Sequence, residues 1–288
     1  MRQAYYFDAA LVRRLVAADR KNSGVLDISL DLNLTSRKVG LDAHHLVIDE
    51  QERIPLEALL PVTGSENKVF FWQNHTLTPV EVRANGYYKL VPSDSAPTLE
   101  IDGVKMHRSK DIDPLEDARL KTARVVPAGG RVLDTCGGLG YSAIHCVRAG
   151  ARSVVSVEKN PSVLKIRAMN PWSQGPEAER VEWIHDDVNI FIKSLKDGSF
   201  DAVIHDPPRI TSATGDLYGQ VFYNELCRVM KAGGKLFHYT GTPQRIKHGD
   251  RFVTNAMKRL EKAGFHEVSF NDYLQGIEAV KPAGPFPW

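Results

Sequence analysis

The pattern of apolar and polar positions divides the chain into two dissimilar parts. From residue 26 to residue 34 apolar and polar side chains alternate strictly, which is the period of a half-buried β-strand. More short strand-like segments follow, at residues 46–48, 69–72, 80–83 and 87–91. Asn85-Gly86 separates the last two and predicts a tight hairpin turn.

A short helix precedes these strands. Asp8 can cap a helix that carries Leu11, Leu15 and Val16 on one face. One short helix followed by many short strands is typical of a small β-rich fold. We therefore expect a small, mostly β N-terminal domain over residues 1–95.

A linker and a hairpin then lead into the second part. The Pro- and Ser-rich segment 92–97 has the composition of a linker. Segment 98–107 reads as a hairpin with Asp102-Gly103 at its turn, and Pro114 opens a helix. We assign residues 96–288 to the second domain.

Strands and helices alternate through the rest of this domain. The predicted strands are residues 131–135, 153–158, 181–185, 200–205, 235–239, 266–270 and 276–280. The predicted helices are about 141–149, 161–169, 188–195, 218–230 and 249–263. Such alternation favours an α/β fold, with a parallel sheet covered by helices on both faces. The last two strands are joined by only a short connection, so they must pair antiparallel.

A glycine-rich loop follows the first strand of this sheet and opens a helix. Asp134 ends the strand, and Gly138 and Gly140 allow the backbone to approach a ligand closely. Glu158 ends the next strand, where a carboxylate can accept hydrogen bonds from ribose hydroxyls. Residues 138–143 also match the G-x-G-x-x-A pattern of dinucleotide sites. Asp134 argues against a dinucleotide site, because its carboxylate would repel a pyrophosphate. The same carboxylate suits a cationic ligand with an α-amino group.

The segment Asp134-x-Cys136-x-Gly138-x-Gly140 resembles the first motif of class I methyltransferases that use S-adenosylmethionine. The resemblance implies a Rossmann-like sheet in which the loop lies along the methionine portion and Glu158 holds the ribose. Asp187 would accept from the adenine amine, with Asp186 as the alternative acid. The cofactor-binding residues it implies are Asp134, Cys136, Gly138, Gly140, Tyr141, Glu158, Lys159, Asp187 and Val188.

A rigid polar corner follows the fourth strand, at Asp206-Pro207-Pro208-Arg209. In open α/β sheets, ligands bind beyond the carboxyl ends of the strands. The two prolines fix their own φ angles and remove two donors, so that Asp206 and nearby carbonyls face a ligand as acceptors. An amine nucleophile needs such acceptors to orient its N–H bonds and to aim its lone pair.

This corner resembles the (Asp/Asn/Ser)-Pro-Pro-(aromatic) motif of amino-group methyltransferases that act on nucleobases or glutamine. The resemblance implies that Asp206, Pro207, Pro208 and Arg209 form the catalytic site. Arg209 departs from the motif, where Tyr or Phe is usual. A guanidinium plane can also stack on a base, and it can hold phosphate.

Aromatic and histidine side chains can complete the pocket. The candidate substrate contacts are Tyr218, Tyr223, His238 and Tyr239. Segments 102–107, 205–209 and 238–241 resemble archaeal predicted methyltransferases described as spermidine-synthase-like. That resemblance implies methylation of RNA, with rRNA included, at the exocyclic amine of a base, and it favours cytidine.

Composition bears on nucleic-acid binding, disulfides, metal sites and cellular location. The 288 residues carry a formal net charge of +2, which argues against binding nucleic acid by bulk charge. The three cysteines form no C-x-x-C pair and the histidines form no H-x-x-x-H pair, so we expect neither disulfides nor a metal site. The N-terminal residues resemble no signal peptide and no stretch is long enough to span a membrane, so we expect a soluble cytoplasmic protein.

Several functions remain open. An RNA amino-group methyltransferase would use the N-terminal domain to recruit RNA, through the candidate contacts Arg13, Arg14, Arg37, Lys38 and Arg83. An aminopropyltransferase would explain the Leu99–His107 hairpin, but Arg209 would repel a diamine. A small-molecule methyltransferase and a non-catalytic binding module are also compatible with the sequence. The modified base, the number of methyl groups and the oligomeric state are not determined by the sequence.

Overall fold

The computed structural model describes residues 4–211, 214–241 and 249–284. The chain forms two compact units. Unit 1 comprises Met1–Leu115 and Lys165–Trp172, and unit 2 comprises Glu116–Leu164 and Ser173–Trp288. None of the helices in the described ranges has the length and apolar character that a membrane span requires.

Unit 1 is built from small antiparallel sheets. Its elements are β1 (Tyr5–Phe7), α1 (Ala9–Arg20), β2 (Val25–Ile28), β3 (Arg37–Asp42), β4 (His45–Val47), β5 (Arg53–Pro55), α2 (Leu56–Leu59), β6 (Phe70–Gln73), β7 (Thr76–Pro79), β8 (Glu81–Ala84), β9 (Gly86–Val91), β10 (Thr98–Ile101) and β11 (Val104–Lys105). The sheets have the orders β1-β6-β7, β2-β3-β4-β5 and β11-β10-β9-β8. The expected small β-rich N-terminal region is confirmed.

The first predicted strand is too long, because β2 ends at Ile28 and residues 29–34 form a turn. Asp31 accepts hydrogen bonds from the Ser29 hydroxyl (2.7 Å) and the Thr35 amide (2.8 Å). Leu32 and Asn33 take positive φ angles of 59° and 68°. Short polar side chains that bond to the local backbone compete with strand pairing, and alternation alone does not reveal that competition.

The predicted first helix and first hairpin are present. The Asp8 carboxylate accepts from the Leu11 amide at 2.8 Å and caps α1, which buries Leu15. Ala84 pairs with Gly86 across the β8–β9 turn. Capping residues and turn glycines are therefore reliable local signals in this unit.

The predicted linker is part of unit 1. Ala96 and Pro97 are buried, and the Ser93 hydroxyl donates to the Ala96 carbonyl at 2.7 Å. The hairpin that follows pairs β10 with β9 and places Leu99 opposite Leu90. The division into units therefore falls after Leu115, whereas the sequence predicts a boundary after residue 95.

Unit 2 contains the alternating elements that the sequence predicts. They are α3 (Pro114–Val125, from Glu116 on), β12 (Arg131–Asp134), α4 (Tyr141–Arg148), β13 (Ser153–Glu158), α5 (Pro161–Ala168, to Leu164), α6 (Pro176–Glu179), β14 (Val181–His185), α7 (Val188–Ser194), β15 (Phe200–His205), α8 (Gln220–Val229), β16 (Met230–Tyr239), α9 (Gly249–Lys262), β17 (His266–Asn271) and β18 (Gly276–Val280). The seven-stranded sheet has the order β14-β13-β12-β15-β16-β18-β17. Strands β12 to β16 are all parallel, and β18 is antiparallel to both of its neighbours, β16 and β17. This arrangement confirms the α/β fold class.

Apolar side chains cover both faces of this sheet. Leu133 packs in a cluster with residues of α8 and α9, whereas its neighbour Val132 packs with residues of α4. Alternate residues of a strand point to opposite faces, so each parallel strand needs apolar residues in succession. Polar side chains are then left for the strand ends, and the carboxyl ends of β13, β12, β15 and β16 lie along one edge.

Candidate active site

The predicted polar residues come together where the parallel strands of the sheet have their carboxyl ends. Asp134 lies opposite Ile204 in the register, and His205 lies opposite His238. Glu158 ends β13 on the other side of β12. The acids of the glycine loop and the proline corner therefore follow neighbouring strands, as the sequence predicts for one site.

The glycine loop between β12 and α4 needs glycine at two positions. Gly138 and Gly140 have φ angles of 50° and 88°, which L-residues with a Cβ rarely adopt. A Cβ added at Gly138 would meet no atom within 4 Å, so the loop faces open space there. The loop leaves room for a ligand beside the N-terminus of α4.

Glu158 ties this loop to the next strand. One carboxylate oxygen accepts from the Gly138 amide at 2.9 Å and the other from the Asn160 amide at 2.7 Å. A carboxylate has about four acceptor positions, so each oxygen keeps capacity for a ribose hydroxyl. Glu158 thus shapes the loop as well as being available to a ligand, a second role that the sequence did not suggest.

The other acid of the loop lies deeper. Asp134 is fully buried and accepts from the Ser156 hydroxyl at 2.7 Å. Tyr141 is buried at the start of α4. Burial also raises the pKa of the Cys136 thiol well above its ordinary value, so this side chain is a neutral group beside the loop. The contacts of these three residues with a cofactor stay predictions.

Asp187 caps helix α7. It accepts from the Asn189 amide at 2.9 Å through one oxygen and from the Lys159 ammonium at 2.7 Å through the other. Burial opposes the charge, but these contacts outweigh it and lower the pKa of Asp187. Asp186 accepts from the Asp187 amide at 2.7 Å. Val188 is buried at the start of α7, and an adenine contact at this corner stays a prediction.

These residues fit S-adenosylmethionine. Acids follow three neighbouring strands, at Asp134, Glu158 and Asp187, and the glycine loop is open on one side. Carboxylates complement the α-amino group, the ribose diol and the adenine amine of that cofactor. This set of acceptors is therefore suited to a sulfonium-bearing adenosyl ligand.

Asp206 has a partner that the sequence analysis missed. The ammonium of Lys121, on α3, donates to Asp206 at 2.8 Å and to Asp117 at 2.7 Å. It also lies 4.0 Å from the ring centroid of Tyr239. Burial opposes a charge on Lys121, but the two carboxylates outweigh it, and the pKa of Lys121 is raised. An aspartate and a lysine four residues apart normally indicate a surface pair, so only their burial distinguishes this one.

The proline corner is partly exposed. Pro207 is buried, whereas Pro208 and Arg209 are exposed. The Tyr218 hydroxyl donates to the Pro208 carbonyl at 2.8 Å. Among described residues, Lys121 alone contacts the Asp206 carboxylate, through Oδ2, and no amide or hydroxyl donates to the Pro207 carbonyl. Within the described ranges, Asp206 Oδ1 and that carbonyl therefore keep acceptor capacity, and their contact with a ligand stays a prediction.

A buried polar network lies beneath the corner. His205 contacts the Thr135 hydroxyl at 2.7 Å and the Leu217 carbonyl at 2.9 Å, and His238 contacts the Tyr223 hydroxyl at 2.8 Å. Burial lowers the pKa of His205 to about 4, and it lowers the pKa of His238 well below its ordinary value. Both rings are therefore neutral at pH 7.

The four predicted substrate contacts fall into two groups. Tyr223 and His238 have no exposed surface, and their bond to each other places them behind the site, where they support its surface. Tyr218 is nearly buried and braces the proline corner. Tyr239 is half-buried and receives the Lys121 ammonium on its ring. Direct contact of any of them with substrate stays a prediction.

Comparison with known proteins finds a relative that matches most of the chain. The uncharacterized protein MJ1233 of Methanocaldococcus jannaschii is 40% identical over 264 residues, which cover 88% of this chain and 89% of that protein. The chain belongs to the MJ1233 family. Residues 119–235 of this family member also match the family described as Conserved hypothetical protein 95.

More distant relatives carry methyltransferase names. Ribosomal RNA large subunit methyltransferase I of Citrobacter koseri is 30% identical over 105 residues, 36% of this chain and 26% of that protein. The putative protein N5-glutamine methyltransferase MJ0928 of Methanocaldococcus jannaschii is 23% identical over 194 residues, 65% of this chain and 87% of that protein. These comparisons support a class I S-adenosylmethionine-dependent methyltransferase.

A solved structure shares the fold of this MJ1233-family chain. Spermidine synthase from Thermotoga maritima superposes with a TM-score of 0.54 at 16% identity, over 72% of this chain and 73% of that one. At this identity the likeness concerns the fold alone. It agrees with the Rossmann-like sheet seen here.

The candidate RNA contacts of unit 1 have partners within the unit. Arg13 pairs with Glu66, Arg14 donates to the Asp27 carbonyl at 2.9 Å, and Arg83 pairs with Glu81 at 3.2 Å. The Glu66 and Glu81 carboxylates reduce the charge available for phosphate at Arg13 and Arg83. In the part of the chain that the structure describes, no three His, Cys, Asp or Glu side chains group together as metal ligands.

Proposed function

We propose that this protein N-methylates the exocyclic amine of an RNA base from S-adenosylmethionine, with cytidine favoured. The observation that carries the proposal is the pair of acceptors at the proline corner, Asp206 Oδ1 and the Pro207 carbonyl. An exocyclic amine has two N–H bonds and a lone pair that is delocalised into the base. Two fixed acceptors orient the N–H bonds and direct the lone pair at the methyl group.

Bound S-adenosylmethionine would supply an electrophilic methyl group: its S–CH3 bond breaks as the N–CH3 bond forms, S-adenosylhomocysteine leaves, and the methylated amine releases one N–H proton to solvent. Asp206 and the Pro207 carbonyl accept the amine N–H bonds, and this interaction strengthens as positive charge develops on nitrogen. Because both acceptors belong to a corner stiffened by Pro207 and Pro208, little reorganisation accompanies the reaction. Glu158 and Asp187 would hold the ribose and the adenine.

An RNA substrate is supported by the name of the ribosomal RNA methyltransferase relative and by the position of Arg209. Its exposed guanidinium is at the end of the catalytic corner, where it can stack on a flipped base or hold its phosphate. The β-rich N-terminal unit would then recruit RNA. Two of its candidate arginines, Arg13 and Arg83, are ion-paired within the unit, so RNA contacts there would have to replace those pairs.

Spermidine synthase shares the fold, so an aminopropyltransferase is the second candidate. A diamine substrate is a cation and needs unneutralised acids after the fourth strand. Here Asp206 already binds the ammonium of Lys121 at 2.8 Å, and Arg209 follows after the two prolines. Both cations oppose a diamine, which favours the uncharged amine of a base.

The test is transfer of a radiolabelled methyl group from S-adenosylmethionine to RNA, followed by mass spectrometry of the nucleosides. We expect labelled N-methylated cytidine with the wild-type protein and a loss of about 100-fold with Asp206→Ala. Asp216→Ala, at an exposed position, is the matched control and should retain full activity. Full activity of Asp206→Ala would refute the proposed role.

Two further assays separate the remaining functions. Turnover of putrescine with decarboxylated S-adenosylmethionine, without methylation of RNA, would support the aminopropyltransferase. Absence of S-adenosylmethionine binding in calorimetry would instead support a non-catalytic binding module.

A further inference from the structure

We propose that Lys121 is a positioning residue: it engages Oδ2 of Asp206 and thereby keeps Oδ1 directed at the substrate amine. This inference rests on the proposed function and extends it to a residue of α3. Lys121 does not itself touch substrate, because only 3% of it is exposed.

The surroundings of the Lys121 ammonium leave it a single position. An ammonium has three N–H donors. One points to Asp117 at 2.7 Å and one to Asp206 at 2.8 Å, and the face of the Tyr239 ring is 4.0 Å away, measured to its centroid. A cation held on three sides in a buried place is a fixed anchor for whichever carboxylate it binds.

Asp206 needs such an anchor. Its backbone follows β15 and precedes two prolines, so the main chain is stiff. Its side chain is 28% exposed, and among the described residues Lys121 is the one hydrogen-bond partner of the carboxylate. Without Lys121 the carboxylate would rotate in solvent, and a misplacement of about 1 Å can cost about 100-fold in rate.

A purely structural ion pair would not require Asp206. Asp117 and Lys121 lie four residues apart on α3 and already form a complete buried pair. The trio has two carboxylates and one ammonium, so its formal charge is −1. The second carboxylate is therefore surplus for neutralising Lys121, and the partly exposed Asp206 is the member that can meet a ligand.

The test compares Lys121→Met with the double variant Lys121→Met/Asp117→Asn. The single variant leaves Asp117 buried without its cation, so it also loses stability. The double variant also neutralises position 117 and should recover most of the melting temperature. Arg124→Ala is the control, because Arg124 is on the same helix and pairs with Glu278 away from Asp206.

For the double variant we expect kcat for RNA methylation to fall about 100-fold, while KM and the dissociation constant for S-adenosylmethionine change less than about threefold. Arg124→Ala should retain wild-type kcat. Recovery of both stability and kcat in the double variant would overturn the proposal, because Lys121 would then serve stability alone.

A wild-type protein that binds S-adenosylmethionine but methylates no RNA would refute the proposed function instead. The positioning inference is then tested by crystal structures of the wild type and the double variant. A changed or disordered Asp206 carboxylate in the variant is the expected result. An unchanged carboxylate would overturn the inference.

Discussion

Acidification should destabilise the fold through His205, which lies beneath the proline corner, Asp206-Pro207-Pro208-Arg209. The ring has no exposed surface; one nitrogen contacts the Thr135 hydroxyl, and the other contacts the Leu217 carbonyl. A proton added to the ring would place a positive charge in a fully buried position. Burial accordingly lowers the pKa of His205 from 6.5 to about 4.

The magnitude follows from linkage between protonation and folding. The unfolded chain protonates His205 below about pH 6.5, whereas the folded protein resists protonation down to about pH 4. Stability is therefore unaffected by His205 above pH 6.5, falls as the pH drops from 6.5 to about 4, and levels off below that. Between pH 7 and pH 5 the loss in free energy of unfolding is about 2 kcal/mol, and about 3 kcal/mol is lost once the pH is below both pKa values. The depressed pKa of His238 acts in the same direction.

The assay is urea unfolding of the wild type and of His205→Gln at pH 7 and pH 5. The difference between their pH dependences reports His205 together with its effect on His238, because the two ring centroids are 4.4 Å apart and His205 contributes to the low pKa of His238. We expect the wild type to lose about 2 kcal/mol more than the variant over this interval. Equal losses would refute the reasoning. An NMR titration of the folded wild type gives a second reading, and a His205 pKa near 6.5 would refute it as well.

Other substitutions test the predicted cofactor-binding residues and the turn at residues 29–34. Glu158→Gln should weaken S-adenosylmethionine binding by about 10-fold or more in calorimetry, because a charged acceptor for the ribose and for the glycine loop is lost; unchanged affinity would argue against a ribose contact. Lys159→Ala removes an exposed ion pair with Asp187 and should change stability by less than about 1 kcal/mol in urea unfolding; a larger loss would contradict the surface assignment. Asp31→Ala removes the acceptor of two hydrogen bonds from Thr35 and should cost about 2 kcal/mol of unit 1 stability, measured by thermal unfolding; an unchanged melting curve would show that the turn forms without it.

Local signals predicted most of the second unit. Strands β13, β14, β15 and β18 begin and end where the apolar segments do, and the short connection before β18 correctly predicts its antiparallel pairing. The buried parallel strands have a strong signal because both of their faces require apolar residues. The glycine loop could also be placed, since a glycine pattern between a strand and a helix has few other uses.

Features that depend on tertiary contacts could not be predicted from the sequence. Lys121 and Asp206 are 85 positions apart, and nothing in the charged segment around Lys121 distinguishes it from an exposed lysine. The turn at residues 29–34 keeps the alternating pattern of a strand while side-chain hydrogen bonds bend the backbone. Strand β10 (Thr98–Ile101) follows a Pro- and Ser-rich segment but pairs with β9, a contact that composition does not reveal.

The charge of the proline corner distinguishes an uncharged base amine from a diamine as the substrate. Asp117, Lys121 and Asp206 together carry a formal charge of −1, and the sulfonium of S-adenosylmethionine carries +1. An uncharged base amine would leave this balance intact, and under the proposed mechanism the positive charge that moves from sulfur to nitrogen would stay close to Asp206. A diamine would bring additional positive charge to a corner where Lys121 is fixed and Arg209 follows. The near-neutral net charge of the whole chain therefore says less about the substrate than the position of one buried lysine.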